Sequence, residues 1–263
     1  MMNEENSSIR GFQEELLVLL KLFHTLCMDN EINYTLHGGT LLGAIREGGF
    51  IPWDDDADIA MLKEDYIKLK KVFLVNTSHE VRFDTETDKI KKIWMKREGR
   101  PEVWLDIFIY VGISSNKILQ KIKTVGLLML APFAKSSEGM TQFEARKRIG
   151  GIKRVAYKSI NLLGKPFSLV WRNRVFDAFC LNAFTGSGEL IHRANDQSIG
   201  IGIILNSKCM KNYYLIPFED TELMVTRDYQ IVLSTIYGND YMVPNREYDN
   251  THDVHDAVRE HRK

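Results

Sequence analysis

Residues 34–61 read YTLHGGTLLGAIREGGFIPWDDDADIAM, and this stretch decides the fold. Tyr34-Thr35-Leu36-His37 has the composition of a short strand. Gly38-Gly39 then turns the chain, and Thr40-Leu41-Leu42-Gly43-Ala44-Ile45-Arg46 starts a helix. Gly48-Gly49 breaks that helix, and Ile51-Pro52-Trp53 leads into residues 56–62, where polar and apolar positions alternate. In an extended strand Asp56 and Asp58 project to one face, and Ala57, Ile59 and Met61 to the other. Two glycines ahead of a helix let backbone approach a ligand closely. They also leave N–H groups at the positive end of the helix dipole, which favours a phosphate. The bland alternative is an ordinary tight turn with Thr40 as the helix cap.

Working outward, residues 9–28 carry Phe12, Leu16, Leu19, Phe23 and Leu26 at spacings of three and four, one apolar stripe of a helix. Residues 64–74 form a second amphipathic helix. Residues 81–85, 92–97 and 103–111 have strand character, the last being VWLDIFIYV with Asp106 alone among apolar neighbours. Past Gly112 the character changes, and residues 116–190 are helix-like, basic and apolar by turns. Residues 199–205 and 213–218 are candidate strands and 228–236 a short helix. The order helix, strand, glycine turn, helix, strand, helix, then strands predicts an α/β (α+β) core with a helical extension. We expect a single domain over 1–263. Its core spans about 9–112 with a C-terminal element at 199–250, and the basic helical region lies at 116–195.

With 263 residues and 44% hydrophobic composition, the chain can bury a sizeable core. Net charge is zero, so the informative feature is local. Residues 135–175 hold ten Lys/Arg against two Glu, whereas 54–58 hold four Asp in five positions. That asymmetry suggests an anionic partner on one surface and a cation site on another. Cys27, Cys180 and Cys209 are odd in number, far apart and in apolar contexts. They predict small core residues rather than a disulfide framework or zinc site, and fit a reducing, cytoplasmic setting. The first ten residues lack the basic start and apolar run of a secretion signal. No stretch is long and apolar enough to span a bilayer.

The aspartate cluster carries the chemistry. Four carboxylates this close repel one another, and a hard cation relieves them. Mg²⁺ takes one or two carboxylates plus substrate phosphates. A solvated acidic loop is the plain alternative. A calcium loop fails because Ile59 stands where glycine is needed. Asp106, in an apolar strand, needs a partner or a function. It can serve as a third metal ligand, orient an attacking hydroxyl, or pair with Lys96 or Arg97. His252, His255 and His261 lie in a polar tail and read as solvated. Arg146, Lys147, Arg148, Lys153, Arg154 and Lys158 can form a solvated helix face. They can also lie on an anionic membrane surface, with residues 127–133 dipping in. No nucleic-acid reader motif accompanies them.

Together, residues 34–61 and Asp106 strongly resemble the LicD family, related to the catalytic regions of fukutin and fukutin-related protein. The segment YGNDYMVPNREYDN at 237–250 also resembles that family's C-terminal element, with one proline where a proline-rich run is usual. The resemblance implies a nucleotidyltransferase (polymerase-β-like) core. It implies transfer of phosphocholine, or a related phospho-alcohol, from a CDP-linked donor such as CDP-choline to a glycan of lipopolysaccharide, capsule or teichoic acid, or its lipid-linked precursor. It implies Mg²⁺ (or Mn²⁺) at Asp56 and Asp58 with Asp106 as third carboxylate. Gly38, Gly39 and Thr40 become the nucleotide-binding turn, with Arg46 placed to meet a phosphate. Asp54 and Asp55 fall inside the motif without an assigned role. Two rival classes share these residues: a nucleotidyltransferase attaching NMP to a small molecule, protein or RNA, and a non-catalytic nucleotide-binding module. The expected location is cytoplasmic, with peripheral contact at the inner face of the membrane; no nucleic-acid partner is expected.

Overall fold

The computed structural model describes residues 2–75, 80–136, 139–140, 151–196 and 198–244. In chain order these form α1 (Met2–Asp29), β1 (Thr35–Leu36), α2 (Gly38–Arg46), β2 (Asp58–Leu62), α3 (Lys63–Val75), β3 (Val81–Asp84), β4 (Lys91–Met95) and β5 (Val103–Ile113). Then come α4 (Lys117–Ala134), α5 (Gly151–Gly164), α6 (Leu169–Asn182), β6 (Leu190–Arg193), α7 (Ser198–Ile201), β7 (Ile204–Asn206), β8 (Tyr213–Phe218), β9 (Thr221–Thr226) and α8 (Tyr229–Tyr237). The mixed α/β content agrees with the expected class. Two compact units emerge: residues 1–83, 92–109 and 208–263 make one, and 84–91 and 110–207 the other. Arg146, Lys147, Arg148, His252, His255, His261 and the end of the 237–250 segment lie outside the described residues.

In the first unit the strands follow the order β1-β2-β5-β4-β3. β1 and β2 run antiparallel, with Thr35 opposite Ala60 and Leu36 opposite Ile59. α1 buries Ile9, Gln13, Leu16, Leu20, Phe23 and Cys27, a helical stripe set by spacings of three and four. β8 and β9 form a hairpin closed by Glu219-Asp220. This hairpin is stitched to β1, where Thr226 N–H donates to Thr35 Oγ1 at 3.0 Å and Met224 N–H to the Tyr34 hydroxyl at 3.2 Å. Desolvation pushes the buried Tyr34 phenol well above its ordinary pKa.

In the second unit, residues 110–113 of β5 pair antiparallel with β6, and β6 pairs with β7. Asn116 caps α4 by accepting from Ile118 N–H and Leu119 N–H, and Ser168 caps α6 by accepting from Trp171 N–H. α4 meets α6 closely at Gly126, where a Cβ would approach the Phe179 ring to 2.5 Å. All three cysteines are free and buried, as their apolar contexts predict.

The structure corrects several expectations. The second strand starts at Asp58, so Asp56 sits in the loop ahead of it. Residues 199–205 are a short helix followed by β7, because Ile201 is needed in the core beside His192. β6 follows the glycine turn Gly186-Ser187-Gly188 but was not expected as a strand, whereas β9 has no glycine or asparagine before it to announce it. In α4, Leu127 and Pro132 face the core while Met129 is exposed, so residues 127–133 are divided between the inward and outward faces.

Candidate functional site

The predicted glycine turn is present and opens α2 directly. His37 is the extended N-cap, and Gly38 follows at φ +53°, a left-handed backbone that favours glycine. A second constraint is spatial. A Cβ on Gly38 would stand 2.5 Å from Asp58 Oδ2, and one on Gly39 2.5 Å from Asp54 Oδ2. The glycines therefore admit two carboxylates to the first turn of the helix. There the helix dipole and its unpaired N–H groups favour negative charge.

Asp58 is held from the same turn. Its N–H donates to Thr40 Oγ1 at 2.8 Å, and its carbonyl accepts from His37 N–H at 2.9 Å. Thr40 is thus a clamp on β2 two residues inside the helix, and His37 occupies the cap position. The acidic loop is held from the other side by Gln13, whose side-chain amide donates to the Ile51 carbonyl at 2.9 Å and the Asp54 carbonyl at 2.8 Å. Asp54 is buried, while Asp55, Asp56 and Asp58 are half-buried.

Asp106 lies on the neighbouring strand. Its N–H donates to the Ala57 carbonyl at 3.0 Å, which sets it beside the segment joining Asp56 to Asp58. Its carboxylate pairs with Lys92 at 2.9 Å. The Lys92 ammonium also lies over the Trp104 and Trp94 rings, at 4.7 and 5.5 Å from their centroids. The expectation of Lys96 or Arg97 as partner is corrected. Both follow the end of β4, and Arg97 is taken by Glu15 at 3.0 Å. The signal for Lys92 was strand alternation: Lys92 and Trp94 on β4, like Trp104 and Asp106 on β5, occupy the less buried positions.

Arg46 ends α2, about 12 Å along the helix axis from Gly38 at 1.5 Å per residue. Its guanidinium pairs with Glu47 at 2.7 Å. It therefore does not join the carboxylates at the turn. A residue that sequence reading missed is Glu219, at the tip of the β8–β9 hairpin. Arg10 grips it through two bonds, of 3.0 and 2.8 Å, and it accepts from Phe50 N–H at 3.2 Å. Its own N–H donates to the Gly48 carbonyl at 2.8 Å. The hydrogen bond from Arg10 holds the Glu219 carboxyl below its ordinary pKa. The loop leading from α2 to the aspartates is thus tied to a hairpin more than a hundred residues away, which no local pattern encodes.

Gly38, Gly39, Thr40, Asp54 and Asp58 are brought together, and Asp106 stands on the adjacent strand. Among the described residues, no three His, Cys, Asp or Glu side chains converge tightly enough to hold an ion by themselves. The available donors at the turn are carboxylate oxygens, a set that suits Mg²⁺ or Mn²⁺ completed by substrate phosphates.

Residues 31–125 match the family described as LicD/FKTN/FKRP, nucleotidyltransferase domain. The lipopolysaccharide cholinephosphotransferase LicD of Haemophilus influenzae is 38% identical over 123 residues, 41% of this chain and 46% of that protein. Uncharacterized proteins of Rickettsia prowazekii and Rickettsia typhi are 47% identical over 57 residues and 37% over 95, covering 21% and 28% of their lengths. The chain thus spans less than half the length of these relatives.

Proposed function

We propose that this chain, which is similar to the LicD family over residues 31–125, transfers a phospho-alcohol, with phosphocholine favoured, from a CDP-linked donor to a hydroxyl of a cell-surface glycan or its lipid-linked precursor. The observation that carries this reading is the seating of the Asp54 and Asp58 carboxylates against the two glycines that open α2. The similarity to a cholinephosphotransferase of lipopolysaccharide supports the donor and acceptor classes. The fold proposed for the core is that of a nucleotidyltransferase, in keeping with the matched family's description.

Asp56 and Asp58 would hold Mg²⁺ or Mn²⁺, with Asp106 as the adjacent third carboxylate. When bound, the ion supplies neutralisation of the donor's diphosphate charge. Thr40 and His37 fix the β2 backbone so that Asp58 keeps one position. The N–H groups of the glycine turn add positive potential for the phosphates. Asp106 accepts the proton of the acceptor hydroxyl as its oxygen bonds to phosphorus and the bond to the departing CMP breaks. Lys92, 2.9 Å from that carboxylate, orients it and is released from the ion pair as the proton arrives.

The test is CMP release by the purified chain with Mg²⁺ and a panel of CDP-alcohols, with and without lipopolysaccharide acceptor. Metal- and acceptor-dependent CMP release from one donor supports the reading and names the alcohol. Pyrophosphate release from an NTP, with no CMP from any CDP-alcohol, replaces it with NMP transfer.

A further inference from the structure

We propose that the outward faces of α4 and α5 form a docking surface for an anionic lipid bilayer. Both helices turn an apolar stripe outward, and α4 does so while its inward face carries Gln120 and Lys123 beside Leu127, Pro132 and Ala134. Ile118, Ile122, Val125 and Met129, spaced by four, three and four, form one stripe that is exposed, Ile118 to 70%. In α5, the inward residues include Asn161, which donates to the Pro132 and Lys135 carbonyls at 2.8 Å each. Ile152, Val155, Leu162 and Leu163 face outward, Ile152 to 88% and Leu163 to 69%. A helix that only packs on a water-soluble core shows the opposite pattern, with its apolar stripe inward.

The flanks name the partner. Neither helix contains an Asp or a Glu. Lys117 and Lys121 are exposed beside the α4 stripe, and Arg154 and Lys158 beside the α5 stripe. Apolar stripes bordered by basic residues are what a helix needs to lie in the headgroup region of an anionic bilayer. Phe167 and Trp171, exposed and stacked at 4.5 Å, add the aromatic pair that bilayer interfaces favour. A second copy of this chain fits less well. Self-association would bring rows of like charge together, and lysine is depleted at the centres of protein interfaces. The attachment is interfacial, because among the described residues no helix is long and apolar enough to cross a membrane.

The surface shares no residue with the carboxylate site, so its test is read without transfer. The full chain is mixed with vesicles of phosphatidylcholine alone, or with about one third phosphatidylglycerol, and sedimented. Binding to the anionic vesicles is expected to exceed binding to the neutral ones by about tenfold or more and to weaken in high salt. Ile122→Glu with Met129→Glu, and separately Lys121→Glu with Lys158→Glu, are each expected to lower that binding about tenfold. All four positions are exposed, and unchanged circular dichroism checks that the fold is intact. Equal binding by wild type and both double variants overturns the proposal, as does no binding by wild type. A solution dimer that Ile122→Glu dissociates also overturns it, because a second copy then covers the face.

Discussion

The two units differ in the charge they mainly bury. Among the described residues, the charged residues buried as a whole in the first unit are acids, Glu15, Asp54 and Asp65, with the Arg46 side chain as a buried base in addition. Those of the second are mainly bases: Lys89, Lys91, Lys123, Arg172 and Arg193, with Asp196 as the acid. The partners differ in kind. The buried bases are satisfied mainly by backbone carbonyls. Lys91 donates to the Thr85 and Asp88 carbonyls at 3.1 and 2.7 Å, Lys89 to that of Asp196 at 2.6 Å, and Arg172 to those of Phe133 and Lys135 at 3.0 and 2.9 Å. A cation that gathers carbonyls ties loop ends together. An acid at a helix N-terminus creates a field at a surface. The first arrangement builds structure and the second can perform chemistry, so substitutions in the two units should fail in different ways.

The largest effect is expected at Asp58. Asp58→Ala should lower CMP release by about a thousandfold or more, with a melting temperature near that of wild type, because the half-buried carboxylate serves charge handling rather than packing. Near-normal turnover would break the comparison at its centre. Lys91→Ala should behave oppositely. Lys91 is fully buried and also pairs with Asp177 at 2.9 Å. Its loss strands that carboxylate and two carbonyls and should cost about 3 kcal/mol in denaturant unfolding. A loss below about 0.5 kcal/mol would mean that the buried bases do not hold the second unit together. Gly38→Ala mixes the two behaviours. It forces a side chain into a left-handed backbone at about 1–2 kcal/mol and pushes its Cβ against Asp58. Stability should fall by that amount, and transfer by about a hundredfold, since small misplacements of a reacting group cost that much.

The difference between the units also explains what the sequence could reveal. The glycine turn, α2, the aspartate run and β5 were legible because each is written within a few consecutive residues and obeys a short period. α1 was legible for the same reason, its stripe recurring over several turns. The Glu219 latch was not legible, since Arg10, Gly48 and Glu219 meet only through the closed fold. β9 escaped because the two-residue turn before it uses Glu219 at φ +53° where glycine or asparagine would have announced a hairpin. The second unit was least legible. Its helices bury Lys123 and Asn161 and expose Ile118 and Ile152, so composition marked the region as helical without saying which faces turn inward.

The smallest effect concerns pH and belongs to the second unit. His192 is fully buried, and its Nδ1–H donates to the Ile201 carbonyl at 3.1 Å, which leaves Nε2 as an unprotonated nitrogen without a hydrogen-bond partner. Desolvation, followed by the nearby Lys123 ammonium, pushes its pKa down from 6.5 to about 4. The folded state therefore resists protonation that the unfolded chain accepts near pH 6.5. Between those values the unfolded state binds more protons, so stability rises with pH and falls as pH drops from about 6.5 towards 4. From pH 6.5 to 5.5 this amounts to about 1 kcal/mol, measurable by urea unfolding at each pH. Glu219 acts in the same direction but lower, its depressed pKa removing stability only as pH falls through the carboxylate range. His192→Gln can still donate to the Ile201 carbonyl but does not titrate, so the limb between pH 6.5 and 5.5 should flatten while the limb below remains. If the variant lost stability over that interval as steeply as wild type, burial of His192 would not be what makes the second unit acid-sensitive.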